Sequence, residues 1–194
     1  MLVLPPMKSR TGSVPLTLVC HPQTSSQGIR GIDVVVSWTA SGSLSLVFAL
    51  EADLSRLRIP EPRVSLRTDG LWRHTCFEAF VMEGKGPEYR EFNFSPSSEW
   101  AAYAFSGYRE GRELGVELAP EIVVHRTGDR LELDAEIRRD FLPPGRSLRL
   151  GLSAVLEDAD GVLSYWALQH APGKPDFHHT DAFALQLVQP ECVT

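Results

Sequence analysis

Apolar and polar residues alternate with a period of two over much of this chain, which is the signature of strands with one buried face. In Ile32–Trp38 the even positions Ile32, Val34, Val36 and Trp38 are all apolar, and Leu44, Leu46, Phe48 and Leu50 repeat the pattern. The Ser/Gly-containing segment Thr39–Gly42 separates the two runs, so together they read as a hairpin. Further strands are expected at Cys76–Met82, Tyr89–Ser95, Glu121–Arg126, Arg130–Ile137, Leu148–Leu156, Val162–His170 and Ala182–Val188. Short turn segments at Gly84–Pro87, Thr127–Asp129 and Asp158–Gly161 punctuate them. Ser97–Tyr103 reads either as a helical turn capped by Ser97 or as another strand. Many strands at short spacing with little helix predict an all-β fold, an antiparallel β-sandwich. No repeat or linker divides the chain, so one domain over residues 1–194 is expected, with a core from about 14 to 190.

Composition narrows the function classes. The chain has 194 residues, 43% of them hydrophobic and 23% charged, with a formal charge of −6. A chain of this size buries roughly 70% of its unfolded surface and needs neither disulfide nor metal to hold a core. An acidic chain without a basic block is a poor nucleic-acid binder, since that affinity comes from Lys and Arg displacing counterions. The densest basic run, Arg56, Arg58, Arg63 and Arg67, reads as solvated surface. No apolar stretch approaches the ~20 residues that span a bilayer, and no cleavable signal is expected. Cys20, Cys76 and Cys192 form an odd set without CxxC spacing, the usage of a reducing compartment, so a cytoplasmic location is expected.

The chemistry concentrates between Leu71 and Ser97. In extended chain His74, Cys76 and Glu78 share one face, with Phe77, Ala79 and Val81 on the other. Likewise Tyr89, Glu91, Asn93 and Ser95 share a face opposite Phe92 and Phe94. Pairing the two strands through the Gly-Pro turn places Phe77, Phe92 and Phe94 in a core. It also gathers Glu78, Tyr89, Glu91 and Asn93 on the outer surface, with Trp72 and Trp100 at its ends. Rings for an apolar C–H face and planar polar groups for hydroxyls suit a sugar. The alternative is an ordinary polar outer face of an antiparallel sheet.

Leu71-Trp72 through Glu78-Ala79-Phe80, followed by Tyr89-Arg90-Glu91-Phe92-Asn93, resembles the central hairpin of DOMON-like domains. That superfamily includes the family 9 carbohydrate-binding modules. Ser164–His170 and Pro175–His179 resemble the closing strands of a bacterial branch of it, and the resemblance covers roughly residues 30 to 188. It implies a β-sandwich with a ligand site on its concave face, taking sugar or haem. Trp72, Glu78, Glu91, Asn93 and Trp166 occupy positions similar to the family's aromatic and polar site positions. Arg73-His74-Thr75 stands where an acidic pair usually follows the tryptophan. Met82 is the residue available as an axial haem ligand; no cofactor is expected.

His170, Asp176, His178 and His179 cluster near the C-terminus. With His74 they could ligate zinc, a set of His74, His170, Asp176 and His178, with Glu78 as general base of a metal-dependent hydrolase. Otherwise Asp176 and His178 pin the loop Pro172–Pro175 or contact an organic ligand. Cys76 with a histidine could form a thiolate nucleophile, and Glu78 with Glu91 the carboxylate pair of a glycosidase. No phosphate loop, GxSxG or HExxH is present. Trp38 reads as core. Trp100 reads equally as a ligand platform or an edge cover, and Trp166 is core by periodicity but a site candidate by resemblance. The leading expectation is a non-catalytic module for a carbohydrate or sugar-like small molecule. Its contacts would be Trp72, His74, Glu78, Tyr89, Glu91, Asn93, Trp100, Trp166, His170, Asp176 and His178. The rivals are the metal-dependent hydrolase and a scaffold without a small-molecule ligand.

Overall fold

The computed structural model describes residues 10–84, 86–115 and 119–191. These form β1 (Arg10–Cys20), β2 (Ile29–Thr39), β3 (Leu44–Ala52), β4 (Cys76–Glu83), β5 (Tyr89–Phe94) and β6 (Trp100–Phe105). Next come β7 (Gly111–Glu113), β8 (Glu121–Thr127), β9 (Arg130–Ile137), β10 (Ser147–Glu157), β11 (Leu163–Ala167) and β12 (Leu185–Val188). The rest is loops and single 3-10 turns. No helix among the described residues is long and apolar enough to cross a membrane.

The strands follow the order β7-β6-β5-β4-β10-β11-β1-β2-β3-β9-β8, with β12 added to β10, and all of these pairings are antiparallel. β1 belongs to both layers. Most of it pairs with β2, while Val19 and Cys20 at its end pair with Ala167 and Trp166 of β11. One layer is therefore β1-β2-β3-β9-β8 and the other β7-β6-β5-β4-β10-β11. Their inner faces close over one core, in which Phe48 of β3 meets Phe77 of β4 at 5.1 Å between ring centroids. The antiparallel β-sandwich expected from the alternation is the fold observed.

Period two explains most of this core. Ile32, Val34, Val36 and Trp38 pack inward with Leu44, Leu46, Phe48 and Leu50, and β10 contributes Leu148, Leu150, Leu152, Ala154 and Leu156. β1 has no counterpart among the expected strands because Pro15 interrupts its pattern. Proline is tolerated there since β1 lacks a second hydrogen-bonded neighbour along most of its length. Ser97–Tyr103 resolves as a turn over 97–99 that leads into β6 at Trp100: Ser98 adopts a φ of 75°, and the Ser97 hydroxyl bonds Ser95 and Glu99 rather than capping a helix. The strand expected to run to His170 ends at Ala167. The one expected from Ala182 starts at Leu185, after a 3-10 turn over Thr180–Ala182.

Candidate functional site

The outer face of the second layer carries the alternate residues that a solvent-exposed sheet would make polar. Here they are buried as well: Glu78, Phe80 and Met82 on β4, Tyr89, Glu91 and Asn93 on β5, and Ser153 and Val155 on β10. The cover is the segment that follows β11. Phe177, His178 and Phe183 lie against Phe80, with centroid distances of 6.5, 5.2 and 6.1 Å. Gly151 lets this segment approach, because a Cβ there would sit 3.0 Å from the Ala182 carbonyl oxygen.

The cover is incomplete, and it leaves a cavity of about 380 Å³. Glu78 and Glu91 line it, with Phe80 beside them. Its walls are Trp72, Tyr103, Phe105, Tyr165 and Phe177, and Arg109 and His178 stand at one side. Glu78 lies opposite Asn93 and Glu91 opposite Phe80, so the two carboxyls are diagonal neighbours across β4 and β5. Ser153 Oγ donates to Glu78 at 3.0 Å, and Asn93 Nδ2 donates to Glu91 at 2.8 Å. Burial pushes Glu78 up to about 8, with the neighbouring Glu91 adding to the rise. Burial likewise raises Glu91 to about 7, against the opposing pull of Asn93 and Arg109.

A polar network braces one side. Asp176 accepts from the Tyr108 hydroxyl at 2.6 Å, from Arg109 Nη2 at 2.9 Å and from the His178 backbone N–H at 3.1 Å. The Tyr89 hydroxyl bonds His178 Nδ1 at 2.8 Å and accepts the Arg109 backbone N–H at 3.2 Å. Burial, with the Arg109 charge, lowers His178 to about 4, so its ring is neutral near pH 7. With Tyr89 donating to Nδ1, the Nε2–H faces Glu91 Oε2 at 3.8 Å. Trp72 sits on a 3-10 turn over Leu71–Arg73, entered through Gly70 at a φ of 78°. It is 39% exposed and meets Tyr103 edge-on at 5.8 Å.

Of the residues nominated from the sequence, Trp72, Glu78, Glu91 and His178 line the cavity. Tyr89, Asn93 and Asp176 lie one layer behind, holding His178, Glu91 and Arg109 respectively. Four expectations are corrected. Trp100 pairs with Phe94 on the inner face and is core, with the Arg67 guanidinium over its ring at 5.8 Å. Trp166 is also core, its Nε1 donating to Ser164. His74 is exposed and bonds Glu157 at 2.7 Å, a carboxylate that Arg58 also holds at 2.8 Å. His170 bonds the Val19 carbonyl oxygen and lies against Phe177.

The proposed zinc set is thereby dispersed, and among the described residues no three His, Cys, Asp or Glu side chains converge as metal ligands. Cys76 is fully buried and burial raises its thiol above the usual range, which disfavours a thiolate there. Cys192 lies outside the described residues. Sequence reasoning missed Tyr103, Phe105, Arg109, Tyr165 and Phe177. Tyr103, Phe105 and Tyr165 follow once β6 and β11 are placed, by parity alone. Arg109, in a turn at a φ of 59°, carries no sequence signal.

Neither the known protein-family models nor the curated protein sequences match this chain. Solved structures do. A candidate carbohydrate-binding protein from Bacteroides uniformis ATCC 8492 aligns with a TM-score of 0.65 and 12% identity, over 88% of this chain and 83% of the other. A family 9 carbohydrate-binding module from Caldicellulosiruptor kristjanssonii, in complex with cellotriose, aligns with a TM-score of 0.50 and 12% identity, over 81% and 75%. Its complex with glucose aligns with a TM-score of 0.50 and 13% identity, over 78% and 72%. At such identity the likeness shows the fold alone: this chain has an antiparallel β-sandwich of the kind found in carbohydrate-binding modules.

Proposed function

We propose that this protein is a non-catalytic binding module that takes a carbohydrate or sugar-like small molecule into the cavity on the outer face of its second layer. We propose further that it is a DOMON-like domain of a bacterial branch. The observation that carries the reading is the cavity itself, with aromatic walls around a floor of carboxyl groups. Trp72, exposed at the rim, offers a flat face to sugar C–H groups. Glu78 and Glu91 offer bonding partners for hydroxyls, and Ser153 and Asn93 hold those carboxyls in place. The fold shared with a module solved in complex with cellotriose and glucose supports the same reading.

Melting temperatures measured against neutral sugars, amino sugars and nucleotide sugars test it. A ligand at a hundred times its dissociation constant adds roughly 2.7 kcal/mol to stability, a visible shift. One sugar class should raise the melting temperature, and Trp72→Ala should abolish the shift while leaving the ligand-free melting temperature within a few degrees. A Trp72→Ala protein that binds as well as the parent sinks the assignment.

A further inference from the structure

We propose that the ligand of this cavity carries a cationic amine, an amino sugar being the class that fits both the ring walls and the carboxyl floor. The inference rests on the reading above of the cavity as a sugar site. Glu78 and Glu91 stand side by side on the floor. Their hydrogen-bond partners are one hydroxyl and one amide, with the neutral His178 ring 3.8 Å from Glu91. Among the described residues no Lys or Arg forms an ion pair with either carboxyl. Arg109, the nearby cation, is engaged by Asp176 at 2.9 Å. Two adjacent buried carboxylates with no ion-pair partner, and only the Asp176-bound Arg109 charge nearby, are costly, which favours their protonated forms, in line with the raised Glu78 and Glu91.

A hydroxyl-only sugar supplies donors but no charge. An ammonium supplies three N–H donors and the missing positive charge. Trp72, Tyr103, Phe105, Tyr165 and Phe177 also line the cavity, and a ring that turns a face to the ligand attracts a cation through its quadrupole. Binding would favour the ionised carboxyls and release protons to solvent. The other groups facing the pair are Cys76, Tyr89, Tyr103, Arg109 and His178. Burial favours the neutral form of the thiol, the two phenols and the imidazole, and the guanidinium stays charged, so the released protons come from the two glutamates.

Titration calorimetry at mildly acidic pH, in two buffers of different ionisation heat, tests this with glucosamine, N-acetylglucosamine, glucose and tetramethylammonium. Glucosamine should bind at least about tenfold tighter than glucose or the N-acetyl sugar, with proton release. Glu78→Gln should erase that preference. Proton release by the parent protein does not depend on the variant folding. Glucose bound as tightly as glucosamine would overturn the amine inference and keep the sugar reading. Tetramethylammonium bound with proton release while no sugar binds would keep the cation and overturn the sugar. No binding by any of the four would overturn both.

Discussion

Replacing Glu78 by Gln should make this protein more stable at neutral pH and leave it nearly unchanged in acid. The carboxyl is wholly buried and its titration rises from 4.5 to about 8, first through burial and second through Glu91 beside it. Because the folded value lies above the unfolded one, the native state binds more protons across that interval. Stability from this group is fully present below the unfolded value and is lost as pH rises through the folded one. At pH 7 the native carboxyl is still protonated while the unfolded chain has released its proton. At about 1.4 kcal/mol per unit, the interval from 4.5 to 7 corresponds to about 3 kcal/mol. Gln has no proton to lose, so the variant should gain about that much at pH 7, or roughly 6–12 °C in Tm for a chain of this size. Urea unfolding of both proteins from about pH 4 to 8 checks it. The curves should converge at the acid end and diverge towards neutrality. Glu91, raised by burial, leaves a residual slope in the variant. Parallel curves, or a variant less stable at pH 7, would mean that Glu78 is ionised in the native state and held by its charge, which refutes the reasoning.

Trp166→Ala should cost about 3–5 kcal/mol in chemical unfolding, because the ring is core; a loss under about 1 kcal/mol would return it to the surface. Gly111→Ala drives a Cβ into the Phe105 ring, which stacks on Tyr89 at 4.5 Å. The wall must shift, so ligand affinity should fall in calorimetry by more than the small change in Tm suggests; unchanged affinity would show that Phe105 is not a working wall. Asp176→Ala removes the acceptor shared by Tyr108, Arg109 and His178. Hydrogen exchange across residues 172–180 should quicken while global stability falls by about 1–2 kcal/mol; exchange that stays as slow as in the parent would show that other contacts hold the segment.

The cavity floor was legible because it lies within single strands. Once Cys76–Glu83 and Tyr89–Phe94 are strands, parity alone puts Glu78 with Glu91 and Asn93 on one face, and Phe77, Phe92 and Phe94 on the other. The walls were not legible, because parity does not survive a turn. Between Asn93 and Trp100 the chain reverses through Ser98 at positive φ, and only the register Phe94↔Trp100 shows that Trp100 points inward and Tyr103 outward. For Trp166 and Tyr165 periodicity had the faces right and the resemblance did not: β11 pairs with β10 with Ala154 opposite Trp166 in the core and Val155 opposite Tyr165 on the outer face.

The sequence by itself therefore determined the architecture: alternation specified antiparallel strands, apolar content specified one core, and the residues of a buried polar face could be named from two strands. Tertiary structure alone decided that this face is covered and bounds a cavity. The segment from Pro175 to Phe183 folds back over it, and Arg109 meets Asp176 across 67 positions of chain. The two carboxyls thereby become a floor rather than a solvated surface, and burial raises both above the usual carboxylate range. Period-two hydrophobicity encodes which residues avoid water on one strand. Which distant loop excludes water from the other face depends on long-range packing, and no local pattern carries it.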